Sequence, residues 1–113
     1  MDELEKFIRS HLPMTETAFY ILLSLNEPRH GYGIAKFVSE LTNDRLKLGS
    51  GTIYGTLTKM QKEDMIAVFD DSDKRIIYEI TPKGRKVLLA EIERIKSVCQ
   101  NAQEMEQYFA EEA

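Results

Sequence analysis

The chain has 113 residues, which is enough for one modest domain with a single hydrophobic core. Its formal charge is -4, and its single cysteine, Cys99, excludes an intrachain disulfide. No apolar run approaches the length of a membrane span, so we expect a cytoplasmic protein with no membrane partner.

Positive charge is concentrated in the middle of the chain. Residues 29–62 hold six basic and two acidic side chains, whereas residues 1–28 and 87–113 are both net negative. A local excess of this kind attracts phosphate over a Debye length of roughly 8 Å. Because a run of charge is usually only a solvated face, the pattern is compatible with nucleic acid as a partner without requiring it.

The first predicted elements are helices. A short amphipathic segment ends at Pro13, and Thr15 is placed to cap a strongly apolar helix that runs to about Leu25. A further helix is predicted from about His30 to Leu41, with apolar side chains at steps of three and four residues. The side chains predicted to face inward are Ile34, Phe37, Val38 and Leu41.

The helix predicted from Ser50 to Met60 is the most informative part of the sequence. Its buried face comprises Ile53, Leu57 and Met60. The 3.6-residue period then turns small polar and cationic residues outward, namely Thr52, Gly55, Thr58, Lys59 and Lys62. Small exposed residues let a helix enter the major groove closely, so this pattern predicts a DNA-reading helix.

The C-terminal half of the chain predicts a hairpin and a long helix. Two β-rich runs, 65–69 and 75–80, flank a polar tip and form a predicted wing. Thr81 as N-cap and Pro82 at the first helical position begin a helix that runs to about Phe109, roughly 40 Å. The predicted fold class is mainly α with a small β-hairpin (α+β).

The predicted architecture is a winged helix-turn-helix with a core of three-helical-bundle type, followed by the long helix. Residues 1–80 would form the DNA-binding domain, and residues 81–113 a dimerisation helix with an acidic tail. The last helix carries an apolar stripe that would be exposed in a monomer, so we expect a homodimer. The predicted interface is Leu4, Phe7, Ile8, Leu88, Ile92, Ile95, Cys99, Ala102 and Phe109.

The sequence is also compatible with two other functions. Paired last helices can leave a cavity for a small aromatic or apolar effector, here lined by Phe7, Ile8, Ile92, Ile95, Cys99 and Ala102. Ordinary core packing is the more common meaning of such spacing. Alternatively, the chain is a protein-interaction module whose acidic tail meets a basic partner through Glu104, Glu106, Glu111 and Glu112.

Three motifs together resemble the PadR family of transcriptional regulators. They are His30-Gly31-Tyr32-Gly33-Ile34, then Gly51-Thr52-Ile53-Tyr54 with Leu57, Lys59 and Lys62, and finally Tyr78-Glu79-Ile80-Thr81-Pro82-Lys83-Gly84-Arg85. The similarity spans about residues 14–90, and the single last helix is similar to the small branch of the family. The resemblance implies a homodimeric winged-helix protein, usually a repressor, that binds an inverted-repeat operator and releases it when an effector binds.

The sequence departs from the family pattern at three positions. Ser50 and Gly55 stand where the family often has proline, and Asp64 stands where a glycine usually ends the recognition helix. Aspartate adopts the left-handed conformation less easily than glycine, though better than most residues. We therefore expect the fold to survive these changes.

The predicted DNA contacts follow from the docking of a recognition helix in the major groove. Lys59 would reach guanine or phosphate, and Thr52 and Thr56 would meet base edges or thymine methyls. Tyr54 either contacts the DNA backbone or seals the groove between helices, and Ser50 either binds phosphate or caps the helix. The full predicted set is Ser50, Gly51, Thr52, Tyr54, Thr56, Lys59, Lys62, Lys74 and Arg75.

The tip of the predicted wing is rich in acidic residues. Asp70, Asp71 and Asp73 would repel phosphate, which leaves only Lys74 and Arg75 as plausible contacts there.

Catalysis is disfavoured by the same motifs. Gly31-Tyr32-Gly33 and Gly49-Ser50-Gly51 begin like a dinucleotide fingerprint, but Lys36 and Tyr54 replace the third glycine. His11 and His30 lack a metal-ligand partner at helical spacing. We therefore expect neither an enzyme activity, nor a cofactor, nor a bound metal.

Overall fold

The computed structural model describes residues 1–71 and 75–110, and its elements form a helical domain with a small sheet. In chain order they are α1 (Glu3–Ser10), α2 (Glu16–Leu23), a 3-10 turn (Ser24–Asn26), β1 (Arg29–His30), α3 (Gly31–Leu41), α4 (Ser50–Lys62), β2 (Ile66–Asp70), β3 (Ile77–Ile80) and α5 (Pro82–Glu106). This is the predicted fold class, a mainly α protein with a hairpin wing.

Side-chain caps set the beginnings of α2 and α5. The hydroxyl of Thr15 accepts the backbone N–H of Ala18 at 3.1 Å. The hydroxyl of Thr81 accepts the backbone N–H of Gly84 at 3.0 Å, with Pro82 at the first helical position. Both predicted caps are confirmed, because each depends only on residues within one turn of the helix start.

One hydrophobic core joins the helices to the sheet. Its buried side chains are Ile21, Leu22, Leu25, Ile34, Val38, Ile53, Leu57, Met60, Met65, Ile66, Tyr78 and Val87. The three residues predicted to form the buried face of α4 all belong to it. Full burial of one aliphatic side chain of this kind contributes roughly 1.5–3 kcal/mol.

Leu41 is a correction to the predicted core, since 52% of the residue is exposed. The period places it on the inner face of α3, but α3 ends at this residue. Asn43 and Asp44 then adopt positive φ angles and turn the chain toward α4. The last turn of α3 therefore extends past the core.

The sheet has three antiparallel strands in the order β1-β3-β2. The hairpin of β2 and β3 is the predicted wing, with an irregularity in register between Val68 and Asp70. The first strand was not predicted. It pairs Arg29 with Tyr78 and His30 with Ile77, and two residues are too short for a period-2 pattern to show.

A tight junction joins the end of α4, the start of β2 and the start of α5. Asp64 has a φ of 60°, so it occupies the left-handed position that glycine adopts most easily at the end of a helix. The hydroxyl of Thr81 donates to the Asp64 carbonyl at 2.7 Å, and the Thr81 N–H donates to the Met65 carbonyl at 3.0 Å. A Cβ on Gly84 would lie 2.1 Å from that same carbonyl oxygen, so only glycine allows this approach.

The long helix α5 divides into a packed half and an exposed half. Val87 and Glu91 are buried against the domain, and α1 packs along the same stretch. Beyond Arg94 the large apolar side chains of the helix are exposed, namely Ile95, Val98 and Met105. The helix ends at Glu106 and not near Phe109 as predicted, and Tyr108 and Phe109 are exposed in the turn that follows. Among the residues described, no helix is both long and apolar enough to span a bilayer.

Candidate nucleic-acid interface

The outer face of α4 is exposed as predicted. Its solvent-facing residues include Thr52, Gly55, Thr58, Lys59 and Lys62, together with Ser50 and Gly51 at the helix start. Gly49 is the N-cap and provides no side-chain hydrogen bond, and Ser50 is the first helical residue. Capping by Ser50 is therefore not found, and the N-terminal amides of α4 keep the positive end of the helix dipole exposed.

A groove of about 520 Å³ runs between the side of α4 and the start of α2. Thr52, Thr56 and Lys59 line its α4 side. Thr56 is half-buried there, whereas Thr52 and Lys59 are exposed. The last two are therefore the more accessible members of this predicted contact group.

Tyr54 packs against the start of α3. A Cβ on Gly31 would lie 2.5 Å from the Tyr54 hydroxyl oxygen, so the absence of a side chain at Gly31 makes room for the phenol. This contact supports the groove-sealing role, although 49% of Tyr54 remains exposed. Burial, with a smaller contribution from nearby Tyr54, raises the pKa of Tyr78 in β3. The closeness of the Tyr54 ring to Gly31 connects α4 to α3.

Two of the basic side chains in the central segment are engaged within the fold. Arg29 donates to the Ser24 carbonyl at 2.6 Å and lies over the Phe37 ring at 4.5 Å. Arg45 donates to Glu16 at 3.0 Å, and this hydrogen bond raises the pKa of the guanidinium. The other four basic residues of the segment, Lys36, Lys47, Lys59 and Lys62, are exposed.

The wing contributes one described cation to this region. Lys74 lies outside the described residues, whereas Arg75 is exposed at the tip end of the hairpin, two residues before β3. The Nη1 atom of Arg75 is 3.2 Å from Nε2 of His30. The described acidic residues Asp70 and Asp71 are also exposed, so the wing carries charges of both signs.

Sequence reasoning missed the role of His30. Its Nδ1 accepts the backbone N–H of Gly33 at 3.1 Å, which makes His30 the N-cap of α3. Its ring stacks on Tyr32 with a centroid distance of 6.2 Å. The available signal was a histidine directly before the glycine that begins a helix, but histidine is not among the preferred cap residues.

The predicted interface residues lie in two different environments. Phe7, Ile8 and Leu88 pack on the core of their own chain, and Leu4 and Ile92 are half-buried. Ile95, Cys99 and Ala102 are exposed on the second half of α5, and Phe109 is exposed beyond the end of that helix. The described chain therefore leaves only the second group wholly available to another molecule.

The predicted effector lining is not gathered in one place within a single chain. A groove of about 760 Å³ lies between α1 and α5, and Phe7 is the one predicted lining residue that contributes to it. Leu4, Pro82, Lys83 and Lys86 are among its other lining residues. The Lys83 ammonium lies 5.2 Å from the centroid of the Phe7 ring.

Glu91 is a buried carboxylate that the sequence did not reveal. Only 1% of the residue is exposed, and it accepts two hydrogen bonds from the Arg94 guanidinium at 2.6 and 3.0 Å. It also accepts the backbone N–H of Met14 at 2.9 Å. The bond from Arg94 holds the pKa of Glu91 below its usual value, assisted by the Met14 N–H and opposed by burial.

Comparisons with known proteins agree with this geometry. The profile described as the transcriptional regulator PadR-like family matches residues 19–90. The fold is similar to that of a PadR family transcription regulator from Clostridium difficile R20291, with a TM-score of 0.68, 20% identity and coverage of 85% of this chain and 100% of that one. It is also similar to RosR of H. salinarum, with a TM-score of 0.67, 19% identity and coverage of 77% and 78%.

A sequence relative extends the comparison beyond solved structures. An uncharacterized protein of Lysinibacillus sphaericus is 29% identical over 85 residues, which cover 72% of this chain and 74% of that protein. The family match begins inside α2 and ends inside the packed half of α5. It therefore includes α3, α4 and the wing.

Proposed function

Because the chain belongs to the PadR-like family of transcriptional regulators, we propose that it is a homodimeric repressor of the small branch, which binds an inverted-repeat operator and releases it when an effector binds. Family membership supports the general role of a DNA-binding transcriptional regulator. The repressor action, the operator symmetry and the effector are the proposal.

The exposed face of α4 is the observation on which the proposal depends. The exposed residues in the first half of the helix have small side chains or none, apart from Tyr54. They are Ser50, Gly51, Thr52 and Gly55. A helix with this surface fits closely against base edges in the major groove. The uncapped amides at its start suit a phosphate oxygen.

The proposed contacts divide into base readout and phosphate binding. Thr52, Thr56 and Lys59 would meet base edges, and Lys59 has the reach to donate to guanine O6 or N7. The phosphate contacts proposed are Ser50, Gly51, Tyr54, Lys62 and Arg75. The predicted contact of Lys74 remains a prediction on a residue outside the described part of the chain.

The exposed half of α5 supports a homodimer. Ile95, Val98, Ala102 and Met105 follow one another on α5 at steps of three and four residues and are all exposed. Such spacing is the seam of a two-helix coiled coil, and water contact along it is unfavourable. A two-fold dimer presents two copies of α4, and this symmetry matches an inverted repeat.

Selection from a random duplex library tests the proposed function directly. Purified protein is expected to enrich an inverted repeat whose half-sites lie one helical turn or a multiple of it apart. In vitro transcription from a promoter that carries the enriched site should then fall as protein is added. Failure to enrich any sequence contradicts sequence-specific DNA binding. Increased transcription contradicts repression.

Effector sensing has one structural observation in its favour. The groove between α1 and α5 combines apolar side chains with three lysines and one carboxylate, namely Leu4, Phe7 and Pro82, then Lys6, Lys83 and Lys86, and Glu3, which lies 4.0 Å from Lys6. A small aromatic molecule that carries a negative charge fits this lining. Such a compound is expected to raise the melting temperature of the wild type but not of Phe7→Ala, and to weaken binding to the enriched duplex. Compounds that shift both proteins equally contradict this site.

Of the predicted acidic tail, Glu104 and Glu106 are exposed, and Glu111 and Glu112 lie outside the described residues, so the protein-interaction alternative stays a prediction.

A further inference from the structure

We propose that His30 and Arg75 bind one phosphate of the DNA backbone together, with the imidazole N–H and the guanidinium donating to the same non-bridging oxygen. This inference rests on the proposed DNA-binding function. It adds His30, which lies outside the set of contacts predicted from the sequence, and it pairs that residue with the wing.

The cap of α3 determines which nitrogen of His30 carries the proton. Nδ1 accepts the backbone N–H of Gly33 at 3.1 Å, and an accepting ring nitrogen has no hydrogen of its own. A neutral imidazole then carries its proton on Nε2. Nε2 is therefore a donor.

The Arg75 nitrogen that lies beside Nε2 of His30 is also a hydrogen-bond donor. Nη1 of Arg75 lies 3.2 Å from Nε2 of His30, and every guanidinium nitrogen donates and none accepts. Two N–H groups at this separation do not satisfy each other. If the ring proton moved to Nδ1 to accept from Arg75, Nδ1–H would oppose the Gly33 N–H and the cap would be lost. The arrangement is satisfied when an acceptor oxygen lies beside both groups.

A phosphate oxygen is the acceptor that the surroundings favour. Charge-assisted hydrogen bonds from arginine to phosphate are among the strongest in proteins. His30 is held in place by its pairing with Ile77 across the sheet and by stacking on Tyr32. The next residue, Gly31, touches Tyr54 on α4. The donor pair is thus continuous with the exposed face of the recognition helix, where backbone contacts fix the register on DNA.

Matched variants separate this contact from general electrostatics. His30→Asn keeps an oxygen that can cap Gly33 but removes the ring N–H, and Arg75→Ala removes the guanidinium of an exposed residue. Lys96→Ala is the control, because it removes one positive charge from the exposed half of α5, where Lys96 faces Glu93 at 3.6 Å. Circular dichroism and the melting temperature establish that each variant is folded.

Affinity for a duplex selected by the wild type is measured by fluorescence anisotropy from about 50 to about 200 mM salt. Each single variant is expected to bind about tenfold more weakly, the size of a missing charge-assisted hydrogen bond. Arg75→Ala should also lower the slope of log K against log salt by about 0.9 for each phosphate that the variant no longer neutralises. Because both groups hold one oxygen, the double variant should lose less than the sum of the two.

Replacing single phosphates of the duplex by uncharged methylphosphonates locates the contact. At one position in each half-site, the replacement should weaken the wild type and Lys96→Ala but leave the His30→Asn/Arg75→Ala double variant unchanged. If every position weakens the wild type and the double variant equally, the proposed site is wrong. If His30→Asn does not fold, Arg75→Ala is used alone, and the replacement at that position should weaken it less than the wild type, because only His30 still donates to that phosphate.

The two proposals fail in different ways. A wild-type protein that selects and binds no duplex contradicts the proposed function, and the phosphate site with it. A wild-type protein that binds its selected duplex, with no position in the scan specific to His30 and Arg75, contradicts only the phosphate site.

Discussion

The carboxylate of Glu91 accepts the backbone N–H of Met14 at 2.9 Å, across 77 positions of sequence. This bond fastens α5 to the segment that leads into α2. The bidentate pair with Arg94 neutralises the carboxylate, so its burial leaves no uncompensated charge.

Loss of this carboxylate should destabilise the fold. Glu91→Ala removes the acceptor of the Met14 N–H and leaves a cavity, and we expect the free energy of unfolding in urea to fall by about 2 kcal/mol. Glu93→Ala is the matched control, since Glu93 is exposed and faces Lys96 at 3.6 Å. The control should change stability by less than about 0.5 kcal/mol. Equal effects of the two substitutions would contradict the role assigned to Glu91.

The pKa of Glu91 predicts a pH dependence of stability. Arg94 holds it below its ordinary value of 4.5, so near that pH the unfolded chain binds more protons than the folded one. The contribution is complete above about pH 4.5 and is lost as the pH falls toward the folded pKa. Urea unfolding over this range should show a shallower loss of stability for Glu91→Gln than for the wild type. Identical slopes would show that Glu91 does not contribute.

Lys59→Ala should weaken binding to the selected duplex by about 1 to 3 kcal/mol, if Lys59 reads a base. Because Lys59 is exposed, the melting temperature should not change. A gel-shift titration of the wild type and the variant on one duplex measures the difference. Unchanged affinity would remove Lys59 from the contact surface.

Substitution by alanine is expected to have opposite effects on stability at Gly84 and at Gly55. A Cβ on Gly84 would lie 2.1 Å from the Met65 carbonyl oxygen, so Gly84→Ala must force α5 away from β2 and cost about 1–3 kcal/mol. A Cβ on Gly55 meets no atom within 4 Å, so Gly55→Ala should stabilise α4 by up to about 1 kcal/mol. The free energies of unfolding test both signs. A destabilised Gly55→Ala would contradict the open surroundings of that position.

The exposed seam of α5 predicts the oligomeric state. Val98→Glu places a charge on the seam and should convert a dimer into a monomer in light scattering, with loss of binding to the inverted repeat. Ser97→Glu, one residue away, is off the seam and should remain dimeric. A wild-type monomer at micromolar concentration, or a dimeric Val98→Glu variant, would contradict dimerisation through this helix.

The features that the sequence predicted correctly depend on residues that are close together in the chain. The period of Ile53, Leu57 and Met60 identified the buried face of α4, and Thr15 and Thr81 were identified as caps. Both signals lie within one or two turns of a helix.

Features that depend on distant partners were not predictable in the same way. Strand β1 exists because Arg29 and His30 meet β3, and Glu91 is buried because it meets Met14 and Arg94. Leu41 follows the inward period, but no pattern within α3 shows where the neighbouring core ends. The pairing of His30 with Arg75 likewise depends on how the wing folds back onto α3.

The junction at Asp64, Thr81 and Gly84 has a mechanical consequence. Since the end of α4 and the start of α5 are bonded to the same two residues, Asp64 and Met65, we expect the two helices to keep a fixed angle to each other. If the protein is the proposed dimer, a change in the crossing angle of its two α5 helices would change the distance between the two recognition helices without repacking inside a subunit.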